Sequence, residues 1–460
     1  MYDLSSLVPE FQCPDANIEE IFRYRWEAYS THLFKRANGK YIVTEFSIPV
    51  SHSGVDGTIS CPAHHHIYEG RWIKKRTFMK DYISFWCSSE AKPRLYSFPL
   101  ADSCFKYCLV SGDMSLAAEL FDAMAENYFQ WEQERFDSNQ GLFWQIPDRD
   151  GMEFALLALS YGKSHGGEGY RSTINSYMYA DAAALSIMAE MSGRPEDARK
   201  FREKADTLRK NFLLLLWNKK RSFFTDRRRD NRFFIDGLEL HGYVPWCYGI
   251  PDERFNSAWK YIIDEEYFCA PCGLRTVEKN HKDYLVEHGR PGGCMWNGWC
   301  WPFASCQALG AMANLLNDYE QTPVGSEDYF KLLKTYTMCH YKDGIPHLAE
   351  SYDPEEGYWY ADFGPRSVNY NHSTYCDLII TGLAGFRVQN DGSVKINPLI
   401  PASWDHMALR NIPFRNRSVD IIFDRTGKNH GMGRGLFLLA DGHTVAQSSL
   451  PGEKLFWRPE

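Results

Sequence analysis

Residues 173–193 and 195–217 read TINSYMYADAAALSIMAEMSG and PEDARKFREKADTLRKNFLLLLW. Both stretches carry apolar residues at helical spacing. Gly193 suits the position just after a helix, and Pro195 suits the first turn of the next one. Because helices joined by so short a connection pack antiparallel, this stretch predicts a helical hairpin.

The same pattern continues through most of the chain. Further helices are predicted over 16–34, 71–89, 98–112, 113–135, 236–248, 253–264, 299–317, 326–341 and 370–385. Asp15 and Asn17 are candidate N-terminal caps of the first of these helices, and Asp113 caps the one over 113–135. Six hairpins of this kind can close into a toroid, with inner helices around an axis and long loops at one end. We find no sequence repeat of fixed period, which disfavours a regular solenoid.

The pattern of apolar residues changes from helical to β-type after residue 385. Short β-type runs such as SVKINPLIP and SVDIIFDRT are separated by Gly, Pro and Asn. We therefore predict an all-α toroid over residues 1–385 and a small antiparallel β appendage over residues 386–460.

Composition restricts the function. A net charge of −8 argues against a nucleic-acid partner, and no run of about 18 apolar residues predicts a membrane span. Aromatic residues make up 15% of the chain, and Trp and Tyr rings can stack on the apolar faces of sugars. Thirteen cysteines without a regular spacing indicate reduced thiols and a cytoplasmic location, although a removed leader peptide stays open.

Carboxyl groups among aromatics occur in two distant stretches, PDRDGMEFALL (147–157) and AESYDPEEGYW (349–359). Hydrolysis of a glycosidic bond needs one carboxyl that keeps its proton and one that is ionised, on opposite sides of the anomeric carbon. A toroid could bring two such loops face to face. The pattern therefore favours carbohydrate hydrolysis.

These stretches, with WNGWCW (296–301) between them, resemble the motifs of the inverting (α/α)6-barrel hydrolases around glycoside hydrolase family 63. That group includes mannosylglycerate hydrolases and processing α-glucosidases, with trehalases as more distant relatives. ESYDP matches the base motif closely. GMEFAL has Glu where the family has the acidic Asp and lacks the Asn-Ser-Pro continuation, and Asn297 and Trp299 replace an Arg and a Pro.

The resemblance implies Glu153 as the general acid and Glu350 as the general base of an inverting glycoside hydrolase. Asp150 is an alternative acid, and Glu168 a further one. Apolar neighbours would raise the pKa of Glu153 and keep it protonated, while Glu350 stays ionised and activates a water. No cofactor is expected.

Other residues are candidates for binding the carbohydrate. In CPAHHHIYEGRW (61–72) we expect a loop at the mouth of the toroid, and adjacent histidines there do not converge as metal ligands do. The single CAPC (269–272) lacks a second pair, so no metal site is predicted. The candidate binding residues are Tyr68, Glu69, Arg71, Trp72, Asp150, Arg171, Trp296, Asn297, Trp299, Trp301, Tyr352 and His372.

Two other functions stay open from the residues alone. A toroid-type polysaccharide lyase or sugar epimerase would use Tyr and His, which the loops also supply. A carbohydrate-binding protein without catalysis would fit the altered GMEFAL and WNGWCW motifs. The sugar, its linkage and the oligomeric state are not indicated.

Overall fold

The computed structural model describes residues 2–289, 291–320, 323–450 and 452–459. The α-helices are α1 Ala16–Thr31, α2 Ala63–Gly70, α3 Thr77–Trp86, α4 Leu100–Ser111, α5 Met114–Arg135, α6 Leu156–Ser160, α7 Ser172–Met191, α8 Pro195–Leu215, α9 Val244–Cys247, α10 Pro302–Asp318, α11 Ser326–Met338 and α12 Cys376–Leu378, which continues as a π-helical turn over Ile379–Leu383. Helices of 3-10 type cover Val55–Gly57, Pro147–Asp150, Leu240–Tyr243, Glu253–Ile262 and Gly364–Arg366.

The hairpin of α7 and α8 is confirmed, and its two helices differ in burial. α7 is buried around most of its circumference, whereas α8 buries only a stripe of Ala198, Phe201, Ala205, Leu208 and Phe212. A helix buried all round lies inside a body, and one with a single apolar stripe lies at its surface. Gly193 has a positive φ of 70°, which lets the chain reverse between them.

Helices that contact one another follow chain order. α2 contacts α4, α4 contacts α7, α7 contacts α9, α9 contacts α10, α10 contacts α12, and α12 contacts α2. α1, α3, α5, α8 and α11 each pack against one or two of these helices. Asp15 and Asp113 accept backbone N–H bonds at the starts of α1 and α5, as predicted.

Three predicted boundaries are wrong. Residues 61–72, expected to be a loop, contain α2, in which His64, His65 and His66 are buried. The helix expected from residue 370 begins only at Cys376, so residues 370–375 are available to line a site. The segment 236–248 forms only a 3-10 turn followed by the short α9.

Many short strands connect the helices and follow them. Their bounds are β1 Glu10–Gln12, β2 Leu33–Lys35, β3 Tyr41–Val43, β4 Phe136–Asp137, β5 Leu142–Gln145, β6 Gly169–Tyr170, β7 Trp217–Asn218, β8 Phe223–Phe224, β9 Arg227–Arg228, β10 Cys269–Ala270, β11 Gly273–Leu274, β12 Tyr341–Lys342, β13 Ile345–Pro346, β14 Ser351–Tyr352, β15 Trp359–Ala361, β16 Phe386–Val388, β17 Val394–Ile396, β18 His406–Phe414, β19 Arg417–Asp424, β20 Gly435–Ala440, β21 His443–Ser448 and β22 Leu455–Trp457.

The C-terminal strands form two antiparallel sheets rather than the single one expected. One has the order β16-β17-β22, and the other has the order β1-β18-β19-β20-β21. β1 comes from the N-terminal end of the chain, and Phe11 lies opposite Leu409 in the register. The helical part therefore contributes a strand to the C-terminal sheet. None of the described helices is long and apolar enough to cross a membrane.

Candidate active site

The segment Trp296–Trp301 joins the two predicted catalytic stretches. Its first residue donates a backbone N–H to the carbonyl oxygen of Glu153 (3.0 Å). At its other end, Cys300 and Tyr352 exchange two backbone hydrogen bonds of 2.8 and 2.9 Å. One segment thus aligns the Glu153 loop and the Glu350 strand, which are almost 200 residues apart in the sequence.

Glu153 lies between the 3-10 helix Pro147–Asp150 and α6. Its Oε2 atom accepts a hydrogen bond from the Cys294 thiol at 3.1 Å. Burial raises the pKa of Glu153, and the Cys294 bond partly opposes the rise. Phe154, the next residue, has a positive φ of 61°, which strains a non-glycine backbone directly beside the carboxyl.

Glu350 is buried just before β14. Its backbone N–H donates to the Ala361 carbonyl at 3.1 Å, and its Oε1 atom accepts a hydrogen bond from the Ser367 hydroxyl at 2.8 Å. The Arg366 guanidinium lies 3.6 Å from the same oxygen. Burial raises the pKa of Glu350 while Arg366 and Ser367 oppose the rise, so the carboxylate has support in its ionised form.

The two carboxyl groups act on one another and on a shared neighbour. The charge of Glu153 contributes to the raised pKa of Glu350. Both carboxylates, after burial itself, also raise the pKa of the Cys294 thiol. Together with the hydrogen bonds from Trp296 to Glu153 and from Cys300 to Tyr352, these effects indicate that the Glu153 and Glu350 stretches lie in one region of the molecule.

Several predicted aromatic residues surround this site. Trp296 stacks on Trp301 at a centroid distance of 4.6 Å, and Trp299 stacks on Tyr360 at 3.4 Å. His372 is buried, and burial holds its pKa well below the usual value, so its ring is neutral. Tyr352 is largely buried and donates its hydroxyl to the Gly357 carbonyl at 2.7 Å, which shapes the turn after Glu350.

Asp150 and Arg171 lie in a separate buried ion network. Arg171 Nε donates to Asp150 at 2.6 Å, and Arg171 Nη1 lies 2.8 Å from Asp226. The hydroxyl of Thr173 also donates to Asp150. Arg171 has no exposed surface, and its remaining Nη2 donates to the sulfur of Met152 at 3.2 Å, so this geometry favours its role as a brace over contact with a substrate.

The same network contains a group of possible metal ligands. Asp226, Glu239 and His241 place one ligand atom each within 4.8 Å of one another. Arg171 already supplies a positive charge to Asp226, and His241 Nε2 lies 3.1 Å from Asp226 Oδ1. Burial alone would lower the pKa of His241, but the two carboxylates outweigh it and raise that pKa. The residues are balanced by this arginine and histidine, and we assign no metal to them.

The remaining predicted binding residues lie elsewhere. Glu69 accepts backbone N–H bonds from Cys376 (3.0 Å) and Asp377 (2.8 Å) and so caps α12. Arg71 and Trp72 both donate to Asp377, and Tyr68 donates to Asp102. Tyr68, Arg71 and Trp72 line a cavity of about 840 Å³ near the C-terminal ends of α4, α7 and α10.

Asn297, which stands where the family has an arginine, does not face the carboxyl groups. It is fully buried, and its side-chain amide donates to the carbonyl oxygens of Asp283 (2.7 Å) and Val286 (2.8 Å). It therefore ties down the neighbouring loop.

Sequence reasoning missed Glu45, Cys294, Arg366, Ser367 and Tyr370. Cys294 lies in the segment 290–311, and Arg366, Ser367 and Tyr370 lie in 363–386. Both segments are rich in aromatics and glycines, but no motif singles these residues out. Glu45, in VTEFSIP, has no signal of this kind. It belongs to the same site because Tyr370 donates to its carboxyl and the neighbouring Phe46 contacts Arg366, which lies 3.6 Å from Glu350.

Comparisons with known proteins agree with the fold and the motifs. Residues 55–373 match the family described as the mannosylglycerate hydrolase MGH1-like glycoside hydrolase domain. A solved structure named a sialidase has 35% sequence identity and a TM-score of 0.92, and the match covers 98% of this chain. This chain spans only 41% of the length of that sialidase.

More distant structures share the fold alone. A family 63 mannosylglycerate hydrolase from Thermus thermophilus, in complex with glucose, has 12% identity and a TM-score of 0.59 over 78% of this chain and 99% of its own. A family 78 rhamnosidase from a Bacillus species has 13% identity and a TM-score of 0.59 over 91% of this chain and 41% of its own. The predicted resemblance to the family 63 group is confirmed. The chain belongs to the mannosylglycerate hydrolase MGH1-like glycoside hydrolase family.

Proposed function

We propose that this glycoside hydrolase cleaves a terminal glycosidic bond of an oligosaccharide or glycoconjugate with inversion of configuration. Glu153 protonates the leaving oxygen, and Glu350 removes a proton from the attacking water. The observation that carries the proposal is the segment Trp296–Trp301, which is hydrogen-bonded to both the Glu153 loop and the Glu350 strand.

The electrostatics support this division of roles. Glu153 is held by a thiol, which is a weak donor and stabilises the charged form only slightly. Glu350 is held by a hydroxyl and faces a guanidinium, which favours its ionised form. These partners favour a protonated Glu153 and an ionised Glu350.

The architecture belongs to the same proposal. The six helices that contact one another in chain order would form the inner ring of an (α/α)6 barrel, with the segments before them at the catalytic face. Residues 1–385 would be the catalytic domain and residues 386–460 a β region packed on it, with β1 shared between them. The cytoplasmic location expected from the cysteine pattern stays a prediction.

A hydrolysis screen with a stereochemical readout tests the function. The panel contains 4-nitrophenyl mannosides, glucosides and rhamnosides in both anomeric forms, an aryl sialoside, and mannosylglycerate. For any substrate cleaved, ¹H NMR of the earliest product gives its anomeric form. Inversion is expected, whereas a product of retained configuration contradicts the mechanism.

The catalytic assignments are tested on the same substrate. Glu153→Gln and Glu350→Gln should each abolish turnover while substrate binding persists. If Glu350→Gln stays active but a change at His372 or Tyr370 abolishes activity, lyase or epimerase chemistry is favoured instead. Sugar binding without turnover across the whole panel would indicate a binding protein.

A further inference from the structure

A third buried carboxyl belongs to the site. Glu45 follows β3 and lies outside residues 55–373, which match the family. The Tyr370 hydroxyl donates to its Oε1 atom at 2.6 Å, and the backbone N–H of Asn371 donates to its carbonyl oxygen at 2.9 Å. The end of β3 is therefore fixed against the extended segment before α12.

Contacts around this pair lead to the catalytic residues. The Tyr370 ring lies 3.9 Å from the ring of His372 and 4.7 Å from that of Phe46. The Arg366 guanidinium lies 4.8 Å from the Phe46 ring centroid, and the same guanidinium is 3.6 Å from Glu350. The residue next to Glu45, Phe46, therefore contacts the same arginine that lies beside the proposed base Glu350.

Each of the three carboxyls has one oxygen held by a neighbour and one that is not. Tyr370 binds Oε1 of Glu45, Cys294 binds Oε2 of Glu153, and Ser367 binds Oε1 of Glu350. Within the described part of the chain, no other residue donates a hydrogen bond to the second oxygen of any of them. Among the described residues, none of these second oxygens is a fully buried atom without a partner, so each keeps accessible surface that a hydroxyl group of a ligand can contact.

We propose that Glu45 and Tyr370 form a binding pair for one hydroxyl group of the sugar ring whose bond is cleaved. This inference rests on the proposed function. Tyr370 holds the carboxyl group of Glu45 through Oε1. The protonated Oε2 then donates a hydrogen bond to the oxygen of the sugar hydroxyl and keeps its proton. A protonated Glu45 also avoids a second negative charge beside the ionised Glu350.

The protonation state follows from the surroundings of Glu45. Burial raises its pKa to about 8, and the charges of Glu350 and Glu153 add to the rise, whereas Tyr370 and Arg366 oppose it. The charge of Glu45 also acts on Cys61, Tyr82 and Tyr96. Burial raises the pKa of each of these three groups, so all of them are neutral at pH 7 and add no charge. The histidines nearest to Phe46 and Tyr370 are His32, His52 and His372, and burial lowers the pKa of each, which favours their neutral form.

Monodeoxy sugars test the contact directly. Wild type, Glu45→Ala, Glu45→Gln and Tyr370→Phe are assayed on the aryl glycoside cleaved in the panel and on its analogues that each lack one ring hydroxyl. We expect Glu45→Ala to lower kcat/KM by about 100-fold and Tyr370→Phe by about tenfold. One deoxy analogue should be impaired with wild type but no further impaired with Glu45→Ala, because the partner hydroxyl is already absent.

The glutamine variant separates binding from proton transfer. Its amide keeps a donor and an acceptor in the same place, so we expect a loss of less than about tenfold and no inhibition as the pH rises through 8. Infrared titration gives a readout without substrate. The protonated-carboxyl signal above pH 6 should be smaller in Glu45→Gln than in wild type by the contribution of one group, while the exposed control Glu119→Gln should match wild type.

Several results would overturn the inference. If the losses in kcat/KM from Glu45→Ala and from each deoxy analogue simply add, Glu45 does not contact any of the ring hydroxyls. If Glu45→Gln has no turnover at all, Glu45 is a catalytic acid instead. Retained product configuration or an active Glu350→Gln would defeat the proposed function alone. In that case, or if no panel glycoside is cleaved, the affinities of the methyl glycosides and their deoxy analogues are measured with wild type and Glu45→Ala. Additive losses of affinity for every analogue would again refute the contact.

Discussion

Two clusters of buried carboxyl groups lie close together, and they differ in how their charge is balanced. In the first, which we call the ion network, Asp150, Asp226 and Glu239 surround Arg171 and His241. The second, the carboxyl cluster, contains Glu45, Glu153 and Glu350. Among the described residues, Arg366 lies 3.6 Å from Glu350 and opposes the raised pKa values of Glu45 and Glu350 without outweighing burial.

The imbalance separates a structural role from a chemical one. Burial by itself opposes ionisation of Asp226, but Arg171 and His241 outweigh it and lower its pKa. In the carboxyl cluster burial prevails, and the pKa values of Glu45, Glu153 and Glu350 are all raised. Glu239 in the ion network is also raised by burial, but His241 and Arg171 oppose the rise in its pKa. A carboxyl with a raised pKa and no paired cation can exchange a proton with a substrate more readily than one held in an ion pair.

Removing the base should have the largest effect on activity. We expect Glu350→Gln to lower kcat by about 10³-fold or more because the water loses its proton acceptor, with little change in the free energy of unfolding. Glu356→Gln is a matched control, since Glu356 is exposed in the same turn. Comparable activity of the two variants would contradict the assignment, and thermal unfolding of both would detect misfolding.

Breaking the ion network should instead reduce stability. Arg171→Met leaves Asp150 and Asp226 buried without their cation, so we expect the free energy of unfolding to fall by about 3–5 kcal/mol. Urea denaturation measures this change. Adding Asp150→Asn and Asp226→Asn should restore part of the loss, and a wild-type stability for Arg171→Met would show that the network does not act as a balanced unit.

The contrast between the clusters also marks what the sequence could and could not predict. Apolar spacing and caps predicted the hairpin of α7 and α8, because local preference and burial agree there. The helix α2 was missed because three consecutive histidines and a proline suggested a loop, although burial of all three rings holds them in a helix.

For the site, motif spacing identified Glu153 and Glu350, whose roles remain a proposal. Asp150 and Arg171 were expected near the substrate because their stretch is rich in charges and glycine. Both are instead held in the ion network, because Arg171 pairs with Asp150 and with Asp226. Asp226 lies more than 50 residues after Arg171 in the sequence. Glu45 could not be found, because its significance depends on Tyr370, 325 positions further along the chain.

The protonation of Glu45 can also be tested through the pH dependence of the free energy of unfolding. Its pKa rises from a usual 4.5 to about 8 on folding, so the folded state binds a proton that the unfolded state releases. The free energy of unfolding should therefore fall as the pH rises between these values, by at most about 1.4 kcal/mol per pH unit. The burial penalty on the charged form is absent below pH 4.5 and complete above pH 8.

Denaturation of wild type and Glu45→Gln at pH 5, 7 and 9 measures this effect. The glutamine variant lacks the titrating group, so its free energy of unfolding should gain about 4 kcal/mol relative to wild type between pH 5 and pH 9. Parallel curves for the two proteins would mean that Glu45 has the same pKa folded and unfolded.

The smallest expected effect comes from the thiol that holds the proposed acid. The hydrogen bond from Cys294 stabilises the charged form of Glu153 and lowers its pKa against the larger effect of burial. Cys294→Ala removes that bond, so the pKa of Glu153 should rise by less than about one unit. Because the acid must be protonated, the alkaline limb of kcat/KM should move to higher pH. Cys294→Ser, with a stronger donor, should move it to lower pH, and equal shifts in both variants would indicate a packing effect instead.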